Sequence, residues 1–113
     1  MTPAEFRQQA LKLQGAEEKA HMGHPDFRVG AKIFATMGYP DKNFAMVKLT
    51  PEQQEIVTGA EPEISSPAKG AWGRQGNTMV TLARLDQITA VSALKMAWDN
   101  LQKPPPRKTQ RGL

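Results

Sequence analysis

The chain contains no cysteine, which excludes disulfides, zinc–thiolate sites and thiol nucleophiles together. No apolar stretch approaches the roughly 18 residues that a membrane helix needs, and the first residues form a helix start instead of a basic segment followed by an apolar one. A soluble, cytoplasmic protein with no membrane partner is the expectation. Aromatic residues are few, 6% of the chain, so each must be placed individually. Internal repeats are absent. Catalytic groupings are missing as well: Ser65 and Ser66 have no evident base and orienting group, and most carboxylates fall where helix caps and wet faces account for them. His21 and His24, near Glu18 and Asp26, invite a metal, but in a strand and turn their spacing does not bring both rings to one centre. No enzyme, no cofactor and no metal site are expected.

What is present is a length of 113 residues, enough for one core and too little for a second domain. The net charge is +4 and the pI near 9.6, and such basicity points to nucleic acid only if the charge sits on the folded body. It does not. Residues 1–102 hold eleven basic and eleven acidic side chains, and Lys103, Arg107, Lys108 and Arg111 supply the excess. The chain divides into a domain over 1–102 and a flexible, Pro-rich basic tail over 103–113. Only clustering of body charges can restore the inference from pI to a binding face.

Thr2-Pro3-Ala4-Glu5 has the form of a capping box with proline at the first helical position, predicting a helix over 3–14 that Gly15 ends. Weak alternation predicts a strand from Glu18 to Met22. Phe27 and Val29 against Asp26 and Arg28 predict a second, and Ile33, Ala35 and Met37 against Lys32, Phe34 and Thr36 a third, with Gly30 between them. Turn formers from Gly38 to Asn43 lead into a fourth strand, Phe44 to Leu49, in which Ala45, Val47 and Leu49 face the core. Thr50-Pro51-Glu52-Gln53 repeats the capping box and starts a short helix ending near Gly59. Residues 60–76 read as irregular chain with a short pairing around Glu63–Ser65, followed by a last strand over Asn77–Leu82. Asp86 caps a final helix whose Ala90, Val91, Leu94, Ala97, Trp98 and Leu101 form an apolar stripe, and Pro104-Pro105-Pro106 stops it. Helix, strands, short helix, strand and long helix predict an α+β fold, an antiparallel sheet with helices packed on one face. The other face, including Lys32, Phe34, Thr36, Met46 and Lys48, is then open to solvent or a partner.

The motifs His24-Pro25-x-Phe27-Arg28-Val29-x-x-Lys32-Ile33-Phe34-Ala35, Lys48-Leu49-Thr50, Gly70-Ala71-Trp72-Gly73 and Thr78-x-Val80-x-Leu82, in that order, resemble the MmcQ/YjbR-type family of small bacterial proteins over most of residues 4–102. The resemblance implies a CyaY-like two-layer sandwich, the fold of the frataxins, in α-β(4)-α-β(1-2)-α order. It also implies DNA binding, by analogy between the family's sheet and double-wing domains. The acidic ridge associated with iron in frataxins has no counterpart here, since Glu5, Glu17 and Glu18 are mixed with Arg7, Lys12 and Lys19.

Arg28, Lys32, Lys48, Lys69 and Arg74 fall on adjoining strands and the glycine-rich loop, and as one patch they would neutralise phosphates without reading sequence. Trp72 and Phe34 would offer surfaces for base stacking. Against this stands a plainer account: scattered cations, core aromatics, and Glu52, Glu55, Glu61 and Glu63 cancelling the field. The spacing Gly70-x-x-Gly73-x-x-Gly76 fits neither a dinucleotide fingerprint nor a Walker loop, and a tight loop around a packed Trp72 explains it better. The tail adds nonspecific affinity or merely solubility. The leading expectation is a nonspecific DNA-binding protein. The alternative is a non-catalytic protein-interaction or small-ligand module using the same surface.

Overall fold

The structure, a computed structural model, describes residues 1–102; the tail cations Lys103, Arg107, Lys108 and Arg111 lie outside the described residues. In chain order the elements are α1 (Pro3–Leu11), β1 (Ala16–His21), β2 (His24–Val29), β3 (Lys32–Met37), β4 (Phe44–Lys48), α2 (Pro51–Ala60), β5 (Ser65–Pro67), α3 (Gly70–Arg74), β6 (Asn77–Thr81) and, after a 3-10 turn, α4 (Gln87–Gln102).

Local chemistry starts the long helices. In α1 the Thr2 hydroxyl accepts from the Glu5 amide at 3.1 Å while the Glu5 carboxylate accepts from the Thr2 amide at 2.8 Å. Thr50 and Gln53 repeat the exchange at 3.1 and 3.0 Å in α2. Asp86 accepts from the Thr89 amide at 3.0 Å at the head of α4. Both capping carboxyls are held below their ordinary values, Glu5 chiefly by the Thr2 amide and Asp86 by the Thr89 side chain and amide. A carboxyl with a lowered folded pKa stabilises the fold above its unfolded pKa, and that contribution disappears as pH falls through the folded value. Asp86→Ala should therefore lower the urea midpoint at neutral pH and flatten its decline on acidification; an unchanged acid limb would count against the cap.

The six strands form one antiparallel sheet in the order β1-β2-β3-β4-β6-β5. Two-residue turns close the first two hairpins, His21 pairing with His24 and Val29 with Lys32. Helices α1 and α4 touch each other over β1, β3 and β4, and α2 packs on β5 and β6. The Ser65 hydroxyl donates to Glu61 O at 3.0 Å from the same sheet side as Val80, which places α2 in the layer of the other helices. Asn100 Nδ2 donates to Gln53 Oε1 at 2.8 Å and joins α2 to α4. Between the layers Phe6, Phe27, Phe34, Val47, Val80 and Leu94 are all within 2% of full burial. Each such side chain contributes about 1.5–3 kcal/mol by leaving water. Phe6 meets Phe27 edge-on at 6.2 Å.

Phe34 is a correction. Phe27 pairs with Ala35 but Arg28 pairs with Ile33, so Phe34 is the extra residue of a β-bulge. A bulge breaks the period of two. Phe34 and Ala35 both join the core at 0% and 1% exposure, Ile33 takes the side of Arg28, and Lys32 takes the side of Val29. The sheet face away from the helices is crossed by the rung Lys19, Asp26, Thr36, Met46, Met79 and Ser66.

Boundaries also move. The first helix ends at Leu11 and β1 begins at Ala16, because the chain turns through Gly15 at φ +79°. The short pairing is Ser65–Pro67 instead of Glu63–Ser65. Residues 70–74 are helical where irregular chain was expected, held by contacts described next.

Candidate nucleic-acid interface

Antiparallel pairing decides which cations meet. Strand β3 begins beside the end of β4, since Ala35 pairs with Val47, and β6 begins beside it on the other flank, since Lys48 pairs with Asn77. Lys32, Lys48 and the start of β6 therefore lie at one end of the sheet on three neighbouring strands, Lys32 on the helix side and Lys48 on the open side. Helix α3 is fixed to that same end. Ala68 N donates to Asn77 O at 2.9 Å, Asn77 Nδ2 donates to Trp72 O at 3.0 Å, and Gln54 Nε2 donates at 2.9 Å to both Gly73 O and Asn77 O. Lys69 and Arg74, at its two ends, are thereby brought to the sheet end that carries Lys32 and Lys48.

Glycine is required by this clamp. A Cβ at Gly73 would overlap the Ala68 carbonyl, and one at Gly76 would overlap the Leu49 carbonyl. Two of the three glycines in the Gly70-x-x-Gly73-x-x-Gly76 series thus serve backbone-to-backbone packing, as the plainer account held. That account also had Trp72 packed within the loop, and here it fails: the indole is 53% exposed.

Arg28 is the member that is spoken for. Its Nε and Nη2 donate to the two carboxylate oxygens of Asp26, each at 2.8 Å, and Asp26 is fully buried. This fork is the strong, bidentate kind of charge-assisted bond. It raises the Arg28 pKa above its ordinary value and leaves the guanidinium fixed over a carboxylate that offsets its charge. Lys32, Lys48, Lys69 and Arg74 are exposed, and none has an ion pair among the described residues. Of the acidic residues expected to cancel them, Glu63 belongs to the far end of the sheet, 3.9 Å from Arg84, and Glu61 precedes it at the far end of α2. Glu52, in the first turn of α2, shares the cationic end.

Phe34, buried in the core, offers no stacking surface. His24 is half-buried and meets Tyr39 edge-on at 5.5 Å. Among the described residues no group of three histidine or acidic side chains is placed to hold a metal ion, and no helix is long and apolar enough to cross a membrane. Gln54 and Asn77, the two amides that fix α3, carry no signal in the sequence. An amide at a helix surface and one at a strand start look ordinary until the chain brings them together.

None of the curated proteins compared with this chain matches it. Among solved structures it is similar to the Deinococcus radiodurans protein DR2400, which carries the domain DUF419, with 18% identity, a TM-score of 0.76 and coverage of 98% of this chain and 86% of that one. It is also similar to a protein from Pseudomonas syringae, with 16% identity, a TM-score of 0.64 and coverage of 86% of this chain and 96% of that one. At such identities the likeness shows the fold. The family model YjbR matches residues 11–100, a span that takes in every strand, the clamped α3 and all of the gathered cations, and the chain belongs to the YjbR family.

Proposed function

We propose that this protein binds DNA without sequence specificity, through phosphate contacts at the end of the sheet where β4 stops and β6 starts. One observation carries the reading: Lys32, Lys48, Lys69 and Arg74 all lie at that end of the sheet, exposed and without a carboxylate partner among the described residues. Unpaired surface cations on a fixed backbone are suited to displacing counterions from phosphates, whereas base-edge readout needs an element that enters a groove. Arg28 acts one step back, since its fork to Asp26 stiffens β2 beside the site. The module is read as non-catalytic and cofactor-free.

The test is the salt dependence of duplex binding by the full chain. Each phosphate contact contributes about 0.9 to the slope of log affinity against log salt, so Lys69→Gln with Arg74→Gln should flatten the slope by about two units. A companion chain with Lys103, Arg107, Lys108 and Arg111 all changed to Gln should keep measurable, salt-sensitive binding. Total loss in that companion would move the DNA affinity to the tail and sink the proposed site.

A second reading, a protein-interaction module, is favoured by Ile56, Ile88 and Val91, exposed by 71%, 82% and 41% on the helix layer. Under it the Lys69 and Arg74 substitutions would leave partner binding unchanged.

A further inference from the structure

The two tryptophans differ in a way that packing does not require. Trp98 is satisfied: its Nε1 donates to Gln14 O at 2.9 Å, its ring lies 5.9 Å below the Lys95 ammonium, and it is half-buried. Trp72 has none of this. Its indole is 53% exposed, and among the described residues its ring has no aromatic or cationic neighbour and its Nε1 no acceptor. Tryptophan is large and seldom so exposed without a use for its apolar face.

The backbone beneath Trp72 is held on several sides. Its carbonyl accepts from Asn77 Nδ2 at 3.0 Å and from Gln75 N at 3.1 Å, and the next residue, Gly73, packs against Ala68 and accepts from Gln54. A ring on so fixed a base loses little freedom when something lies against it. Lys69, in extended conformation, is the N-cap of this helix three positions before Trp72, and Arg74 is its last residue. Trp72 thus sits in a short helix flanked by the unpaired cations Lys69 and Arg74, and Lys48 pairs with Asn77 at the adjoining strand end.

We infer that Trp72 is a base-stacking platform and that the ligand of this sheet end is single-stranded DNA in preference to duplex. The inference rests on the phosphate site proposed above. An unpaired strand presents base faces and phosphates alternately, so a base can lie on the indole while its flanking phosphates meet Lys69 and Lys48. In a duplex the base faces are already stacked, and the indole has nothing of matching shape to cover. Every base has a π-face, so a stacking platform is also indifferent to sequence.

The experiment uses the full chain with fluorescein-labelled oligothymidylate of about thirty nucleotides and a duplex of equal length, read by anisotropy at one fixed salt concentration. The single strand should bind about 10-fold more tightly or better, and Trp72→Ala should weaken it by about 5- to 100-fold while changing duplex binding less than about twofold. Trp72→Phe should retain most of the single-strand affinity. Oligothymidylate should quench the intrinsic fluorescence of the unsubstituted chain and leave that of Trp72→Phe, which reports Trp98 alone, unchanged. Equal or tighter duplex binding, with Trp72→Ala affecting both ligands alike, would overturn the single-strand inference and leave the phosphate site standing. Failure of both ligands to bind would overturn both.

Discussion

Gly76→Ala should destabilise the fold by about 3–5 kcal/mol, the sum of a backbone held in the wrong region for an L side chain and a steric overlap that neither partner can relieve. Gly76 sits at φ +107°, and a Cβ there would overlap the Leu49 carbonyl oxygen and crowd the carbonyl carbon of Thr50. These are main-chain atoms. They cannot swing aside as a lysine tip would, and the Leu49 amide is bonded to Gly76 O at 3.2 Å, so any shift also breaks that bond. Against a typical total of about 5–15 kcal/mol for a domain, the loss is a large fraction, and with a urea slope of about 1–3 kcal/mol per molar the midpoint should fall by about 2 M. Gly70→Ala is the control, because Gly70 also has a positive φ, +66°, but open space around it. Its cost should be about 1 kcal/mol. Equal losses at the two positions would mean that backbone conformation alone matters and that the Leu49 contact does not.

The Leu49–Gly76 contact also bears on the site. It joins the end of β4 to the start of β6, the junction that carries Lys48, Asn77 and, through Asn77, Trp72. Substitutions that loosen it should weaken ligand binding under conditions where the protein is still folded.

Features legible in the sequence are those written within a few consecutive residues. Thr2 with Glu5 and Thr50 with Gln53 form boxes whose partners lie three positions apart, and both boxes are present. The apolar stripe of the last helix, with Ala90, Leu94 and Ala97 buried, follows from spacing alone. The hairpins follow from turn residues between alternating runs. The order of several separate motifs was enough to point to the YjbR family, and the family match over residues 11–100 agrees.

Features that escaped depend on a partner distant in the chain. Helix α3 has two glycines among its five residues and little intrinsic tendency to form; it exists because the side-chain amides of Gln54, some twenty positions upstream, and Asn77 donate to its backbone carbonyls. Alternation places Asp26 on the open face, and pairing with Thr36 keeps it there, yet it is fully buried, with Arg28 folded over its carboxylate. The cation set loses a free member for the same reason. Trp72 could not be placed from its neighbours, since a glycine-rich stretch accommodates a packed ring and an exposed one equally well.

The β3 bulge is the sharpest of these cases, and it makes a prediction that reverses the one from alternation. On a regular strand Ile33 would face the core and Phe34 the solvent, so Ile33→Ala would be the costly change. The bulge inverts the pair. Phe34 is fully buried and Ile33 half-buried, so Phe34→Ala should cost about 3–5 kcal/mol, from lost transfer energy plus the cavity left behind. Ile33→Ala should cost about 1 kcal/mol, the usual scale for a partly exposed side chain. Urea unfolding of the two single variants decides the matter: the Phe34 midpoint should fall well below that of Ile33, and the opposite order would mean that β3 runs straight. The consequence reaches the site, because a straight β3 would turn Lys32 to the open face beside Arg28 and gather the cations on the sheet surface. With the bulge, Lys32 takes the side of Val29 at the hairpin end. The cations then ring the end of the sheet, and a bound strand would cross that end, over Lys48 and past Trp72, leaving the rung from Lys19 to Ser66 uncovered.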